Sequence, residues 1–221
     1  MDPKSMTTLP HHASAQTHTL SVDFAWSNFK SLVTDASDES KTPLYIVSCN
    51  VLTSNLTFKT GPDDKVMGTS SVHAISISPD YELHGVKGTL QAQHRLRTIY
   101  SHTSTIFSDS GAPVKMTWTS QSGFKNWDFI CVDEMQQPVA KFSASLWNPK
   151  KWATIEILGP KAHDVRARDE IVLVGFTLYW CMVVRMNNPL NLLGSVFMST
   201  EKTSEEEQIE KPTRVGAVSS G

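Results

Sequence analysis

The fourteen residues Ile171-Val172-Leu173-Val174-Gly175-Phe176-Thr177-Leu178-Tyr179-Trp180-Cys181-Met182-Val183-Val184 carry no charge on any face. A surface helix shows a charged side, so this run must be enclosed all round, by protein or by lipid. As a helix it measures about 21 Å, short of the roughly 30 Å hydrocarbon core of a bilayer, which argues for enclosure by protein. Thr177, Tyr179 and Trp180 lie mid-run, whereas membrane aromatics gather at the interfaces. Asp169 and Glu170 precede the run and Arg185 follows it, the signs that the helix dipole favours at its two ends. Asn187-Asn188-Pro189 supplies a stop. These signals favour a helix. The β-branched Ile171, Val172, Val174, Thr177, Val183 and Val184 leave a buried strand as the alternative, because periodicity does not resolve a short apolar run.

The chain before this run is punctuated like a β protein. Leu20 to Phe24, Leu44 to Cys49, Leu56 to Lys59, Val72 to Ile77, Leu83 to Val86, Ile99 to Phe107, Val114 to Thr119, Trp127 to Val132, Val139 to Leu146 and Trp152 to Leu158 are rich in Val, Ile, Thr and aromatics and bounded by turn formers. Met116 and Trp118 alternate with Lys115, Thr117 and Thr119, and Phe129 and Cys131 with Asp128, Ile130 and Val132; such one-sided strands are usually antiparallel. Asp133 to Pro138 is the expected hairpin turn before Val139. Residues 1–19, polar and rich in Ser, Thr, His and Pro, are expected to be a disordered lead. Residues 199–221, with Glu205-Glu206-Glu207, are expected to be a disordered acidic tail, leaving one domain at 20–198.

Ten or so strands and one helix that is apolar all round have few joint solutions. A closed antiparallel barrel with the helix through its middle has no free edge and gives the helix its enclosure. Burying each large side chain is worth about 1.5 to 3 kcal/mol, so an acid at Leu173 or Phe176 should unfold the domain.

The remaining composition excludes more than it assigns. The formal net charge of −2 over 221 residues, with both signs intermingled, gives no basis for nucleic-acid binding. Cys49, Cys131 and Cys181 are odd in number and far apart, which fits reduced buried thiols in an intracellular protein. The polar N-terminus lacks the apolar core of a secretory signal, so the glycosylation triplet Asn55-Leu56-Thr57 reads as accidental.

Pro43-Leu44-Tyr45-Ile46-Val47, Met116-Thr117-Trp118-Thr119, Trp127-Asp128-Phe129-Ile130-Cys131-Val132-Asp133, Pro138-Val139-Ala140-Lys141-Phe142 and Asp169-Glu170-Ile171-Val172-Leu173-Val174-Gly175 together resemble the tubby C-terminal-like superfamily, in its ascomycete fungal branch, with a more distant likeness to scramblase-type and LURP-one-type domains. The resemblance covers most of residues 20–198. It implies a twelve-stranded barrel around a central hydrophobic helix, and phosphoinositide or membrane-surface association through exterior lysines and arginines. The lipid-binding basic motif of the animal members has no match in this chain.

Candidate chemistry is sparse. On a strand, His94-Arg95-Leu96-Arg97 would set Arg95 and Arg97 on one face; with Lys150 and Lys151 they form the best anion or lipid site candidate. The histidines His73, His84, His94 and His102 are isolated, with no zinc spacing. No Gly-x-Ser-x-Gly elbow, Walker loop or Rossmann fingerprint is present, and Cys131 reads as an inert buried thiol. Asp128 and Asp133 would pair only if the fold joined them across a turn. Trp118, Trp127, Trp147 and Trp152 are expected to pack the barrel. The expected function is therefore a non-enzymatic, cytoplasmic barrel, with no cofactor or metal and no transmembrane span, that binds a membrane surface or a protein partner. The alternative is an enzyme or small-ligand carrier at the barrel mouth, associated with fungal secondary metabolism.

Overall fold

The computed structural model describes residues 16–25, 30–50, 52–73, 76–94, 97–108, 110–120, 126–145 and 151–187. Thirteen strands form one antiparallel sheet: β1 (Thr17–Ala25), β2 (Lys30–Asp35), β3 (Pro43–Asn50), β4 (Asn55–Thr60), β5 (Val66–Ser71), β6 (Asp80–Leu83), β7 (Val86–Thr89), β8 (Gln91–Ala92), β9 (Ile99–Ser104), β10 (Val114–Ser120), β11 (Asn126–Val132), β12 (Pro138–Ser145) and β13 (Lys151–Leu158). A short 3-10 turn, Gly159–Lys161, leads into α1 (Val165–Asn187), the one α-helix among the described residues. The barrel expected from the sequence is borne out.

Each strand pairs with its sequence neighbour, and β1 pairs with β13. The step without a ladder lies between β7 and β8, which are separated only by Leu90. Following the antiparallel pairs around the sheet in both directions shows that β7 and β8 run the same way. They are two halves of one bent strand that leaves β6 and joins β9, with Leu90 fully buried at the corner. The thirteen segments thus make twelve staves of a nearly closed ring. Leu90 N–H bonds to the Pro79 carbonyl, and Ala92 N–H to Ser78 Oγ, so Ser78 and Pro79 satisfy backbone donors exposed at the seam.

Alternation along the strands turns one apolar face inward. Leu20 and Val22 of β1, Phe58 of β4, Met116 and Trp118 of β10, Phe129 and Cys131 of β11, and Ile155 and Ile157 of β13 are all buried. Into this lumen goes α1, whose Ile171 to Leu178 segment is inaccessible apart from a trace at Phe176 and the helical glycine. Phe176 meets the rings of Phe58, Phe142 and Trp152, and Tyr179 those of Trp127, Phe142 and Trp152, so opposite walls touch the same helix. Close approach requires glycines: a Cβ on Gly68 of β5 would fall 2.4 Å from Leu173 Cδ1, and one on Gly175 2.9 Å from Phe142 Cδ2. Thr177, the one hydroxyl in the buried run, donates back to the Leu173 carbonyl at 2.7 Å.

Several sequence expectations need correction. The helix starts at Val165 because Asp164 caps it, accepting from the N–H of Arg166 at 2.7 Å and of Ala167 at 3.2 Å. Asp169 and Glu170 therefore lie inside the helix and not at its start. At 23 residues α1 is about 34 Å long, so shortness is not what separates it from a membrane span. Arg166, Arg168, Asp169, Glu170 and Arg185 interrupt it instead, and no helix among the described residues is long and apolar enough to cross a bilayer.

Of the expected strand Val72 to Ile77, the described residues 72, 73, 76 and 77 lie outside any strand: β5 ends at Ser71, and β6 begins at Asp80. Leu83 to Val86 is a hairpin turn whose central residues, His84 (φ 49°) and Gly85 (φ 82°), both adopt the left-handed conformation. Lys30–Asp35 is a strand the sequence pattern did not signal, and β1 begins at Thr17, inside the stretch expected to be a lead.

Candidate functional site

The interior holds two polar knots, both on the first turns of α1. Asp169 accepts from Tyr45 OH at 2.5 Å and faces His84 Nε2 at 2.8 Å, while Arg168 Nε donates to Tyr45 OH at 2.7 Å and the guanidinium lies over the Tyr45 ring. Burial, then the Asp169 charge, push the Tyr45 phenol well above its ordinary value. Glu170 accepts from Ser104 Oγ at 2.9 Å and faces His102 Nε2 at 3.0 Å. Lys161 adds a bond to the Ile106 carbonyl at the same end. These bonds join α1 to β3, β9 and the β6–β7 turn, and they satisfy carboxylates that burial would otherwise penalise.

The second knot holds the elements of a Ser, His and carboxylate set in an unproductive order. Glu170 sits between Ser104 and His102, with no bond from His102 to the serine, and the His102 side chain has no solvent access. A nucleophile needs a base on its own hydroxyl and a path for substrate, so the knot is a fastening. Four of the described histidines face carboxylates, His18 with Asp35 at 2.7 Å, His73 with Asp80 at 2.9 Å, and the two above, while His163 stacks on His18. Sequence spacing offered no signal for these, since the partners of His84 and His102 are 85 and 68 residues away. Among the described residues no three His, Cys, Asp or Glu converge on a metal position.

Other candidates resolve individually. Cys131 is buried, and its thiol is pushed well above the ordinary value, by burial first and then by the Glu170 and Asp133 charges. Asp133 accepts from the N–H groups of Met135 and Gln137 within the β11–β12 turn, and Asp128, at the other end of β11, does not pair with it. Trp118, Trp127 and Trp152 pack against the helix or its neighbours, as expected; Trp147 lies outside the described residues.

Of the four basic candidates, Arg95 and Lys150 lie outside the described residues. Arg97 is exposed in the bend between β8 and β9, so the strand face proposed for Arg95 and Arg97 does not extend to it. Lys151 opens β13, opposite Asp23 in register. Both positions belong to the end of the barrel where α1 finishes.

That end differs from the other in charge. Where α1 starts, the turns after β2, β4, β11 and β13 carry Asp38, Glu39, Asp63, Asp64, Asp133, Glu134 and Asp164 against Lys41, Lys65 and Lys161. Where α1 finishes, the described parts of the connections after β3, β5 and β8 carry no carboxylate; Lys30, Arg97 and Lys151 stand at or beside element ends there, with Asp80 at the start of β6 and Asp23 opposite Lys151. Exposed apolar side chains occur at both ends, Val66, Val86, Met135 and Val165 at the first, Leu52 (97 %) and Met186 (62 %) at the second, so charge is what distinguishes them.

Comparison of the chain with protein-family models, curated proteins and solved structures finds no match.

Proposed function

We propose that this chain is a non-enzymatic barrel that docks on an anionic membrane surface through the end at which α1 finishes. The observation that carries the reading is the difference of charge along the barrel axis: seven turn carboxylates against three lysines at one end, and Lys30, Arg97 and Lys151 against Asp23 and Asp80 among the described residues at the other. A lumen occupied by Ile171 to Leu178 supports placing the working surface outside.

Arg97 and Lys151 flank staves β9 and β13, about 19 Å apart around the wall at roughly 4.8 Å per strand. That spacing suits several headgroups of a charged surface better than one chelated phosphate. Each Lys or Arg near such a surface contributes about 1 kcal/mol, falling off within a Debye length. Leu52, at the tip of the β3–β4 turn, supplies an apolar contact at the same end.

Co-sedimentation with vesicles of phosphatidylcholine alone, or mixed with phosphatidylserine or a phosphoinositide, tests the reading. Wild type should pellet with the anionic vesicles and release as salt rises. Arg95→Glu/Arg97→Glu and Lys150→Glu/Lys151→Glu should each weaken binding by at least tenfold, about 1.4 kcal/mol. Equal pelleting of wild type and both variants would overturn it.

A further inference from the structure

Strand β7 is weakly anchored in the wall. It pairs with β6 on one side, and no backbone hydrogen bond joins it to β9 on the other among the described residues. Register sets Val86 opposite the buried Leu83 and Gly88 opposite Tyr81, so both face the lumen. Val86 is nonetheless 71 % exposed, and Gly88 has no side chain to bury. A segment with an unpaired edge and little buried apolar surface opens locally while the rest of the structure stays folded.

The β6–β7 hairpin has a pinned base and a latched tip. At the base Leu90 is fully buried, and its N–H bonds to the Pro79 carbonyl. At the tip His84 and Gly85 both have positive φ, the geometry for which Asn-Gly is the favoured pair. A Cβ on Gly85 would meet nothing within 4 Å, so the turn projects into solvent. His84 in place of Asn brings a ring that reaches the helix, with Nε2 2.8 Å from Asp169 Oδ2. Among the described residues this is the one hydrogen-bonding contact between the hairpin and α1. The His84 N–H, bonded to the Met67 carbonyl at 2.8 Å, holds the same tip to β5.

The Glu170 knot lies directly behind the hairpin. The Tyr81 ring stands edge-on to His102 at 6.4 Å between centroids, and a Cβ on Gly88 would fall 2.5 Å from the Tyr81 hydroxyl. Tyr81 thus touches β7 at one end and His102 at the other. Burial, then the Glu170 charge, push its phenol up to about 12. The His102 side chain has no solvent access, and its Nδ1 has no partner among the described residues. We infer that the β6–β7 hairpin is a flap, pinned at Leu90 and latched to α1 by His84, whose outward swing admits solvent to His102 and Glu170.

Modification of accessible imidazoles by diethyl pyrocarbonate tests this on the full chain, with mass spectrometry reading His102. Alkylation of Cys131, buried on β11, serves as the reference for global unfolding, and each rate is divided by that of the urea-unfolded chain. In wild type the normalised His102 rate should exceed that of Cys131 by about tenfold or more and vary little with urea below the unfolding transition. His84→Asn suits the turn, leaves Tyr45 on Asp169 and removes the latch. It should raise the His102 rate by about three- to tenfold and leave the Cys131 rate and the thermal melt near those of wild type. A normalised His102 rate no higher than that of Cys131 in wild type, or one unchanged by His84→Asn, would overturn the flap.

Discussion

Truncating Phe176 measures how far the helix is part of the core. Its ring centroid lies 6.1 Å from Phe58, 5.5 Å from Phe142 and 5.7 Å from Trp152, each nearly edge to face. Phe to Ala in a core costs about 3 to 5 kcal/mol, the spread depending on how well the surroundings collapse into the space. Here the three neighbours stand on strands held in a hydrogen-bonded ring, which limits collapse. The loss of edge-to-face contacts is already contained in that range, and Phe176→Ala should cost about 4 kcal/mol.

Equilibrium urea unfolding reads this as a lower midpoint at unchanged slope. In a domain of this size the melt should fall by about 8 to 16 °C. Met135→Ala, in the exposed β11–β12 turn, should stay within about 0.5 kcal/mol of wild type. A Phe176→Ala cost under about 1 kcal/mol would show that the side chain is not enclosed as described.

Three further outcomes follow from the buried polar groups and the thiols. Glu170→Leu strands His102 and Ser104 and should cost about 3 kcal/mol, whereas adding His102→Leu should restore part of it; a double variant no better than the single would contradict the pairing. Burial raises the thiols of Cys49 and Cys181 to about 11 and that of Cys131 well beyond its ordinary value, so at pH 8 all three should react with a disulfide reagent far more slowly than in urea; a native thiol reacting at the free-cysteine rate would count against it. The Ser37 hydroxyl, opposed by burial and assisted by the Ser37 amide and His18, lowers Asp35 to about 2. Its stabilising share is present above the unfolded value near 4 and is lost as pH falls through about 2. Ser37→Ala should therefore lower the urea midpoint more at pH 6 than near pH 2, and an equal loss at both would rule out the linkage.

How much was legible depended on whether the signal was local. The inward alternation of Met116 and Trp118, and of Phe129 and Cys131, is written in adjacent residues, and β10 to β12 fell where expected. The all-round apolar run implied an enclosure, and the enclosure is a barrel. β5 was obscured because Gly68, which weakens a strand pattern, is needed for Leu173 to approach. The β6–β7 turn was obscured because His84-Gly85 lacks the Asn-Gly signature of its geometry. Asp169 and Glu170 looked like dipole partners because their true partners, Tyr45 and Ser104 among them, are 124 and 66 residues away.

Hydrogen exchange across α1 tests most directly the claim that the helix is the enclosed axis of the barrel. Amides from Ile171 to Cys181 should exchange only with global unfolding, as slowly as those of β12 and β13, and should speed up with them in urea. Exchange of that segment within minutes, while the strands stay protected, would mean that the helix leaves the lumen on its own and would contradict the account.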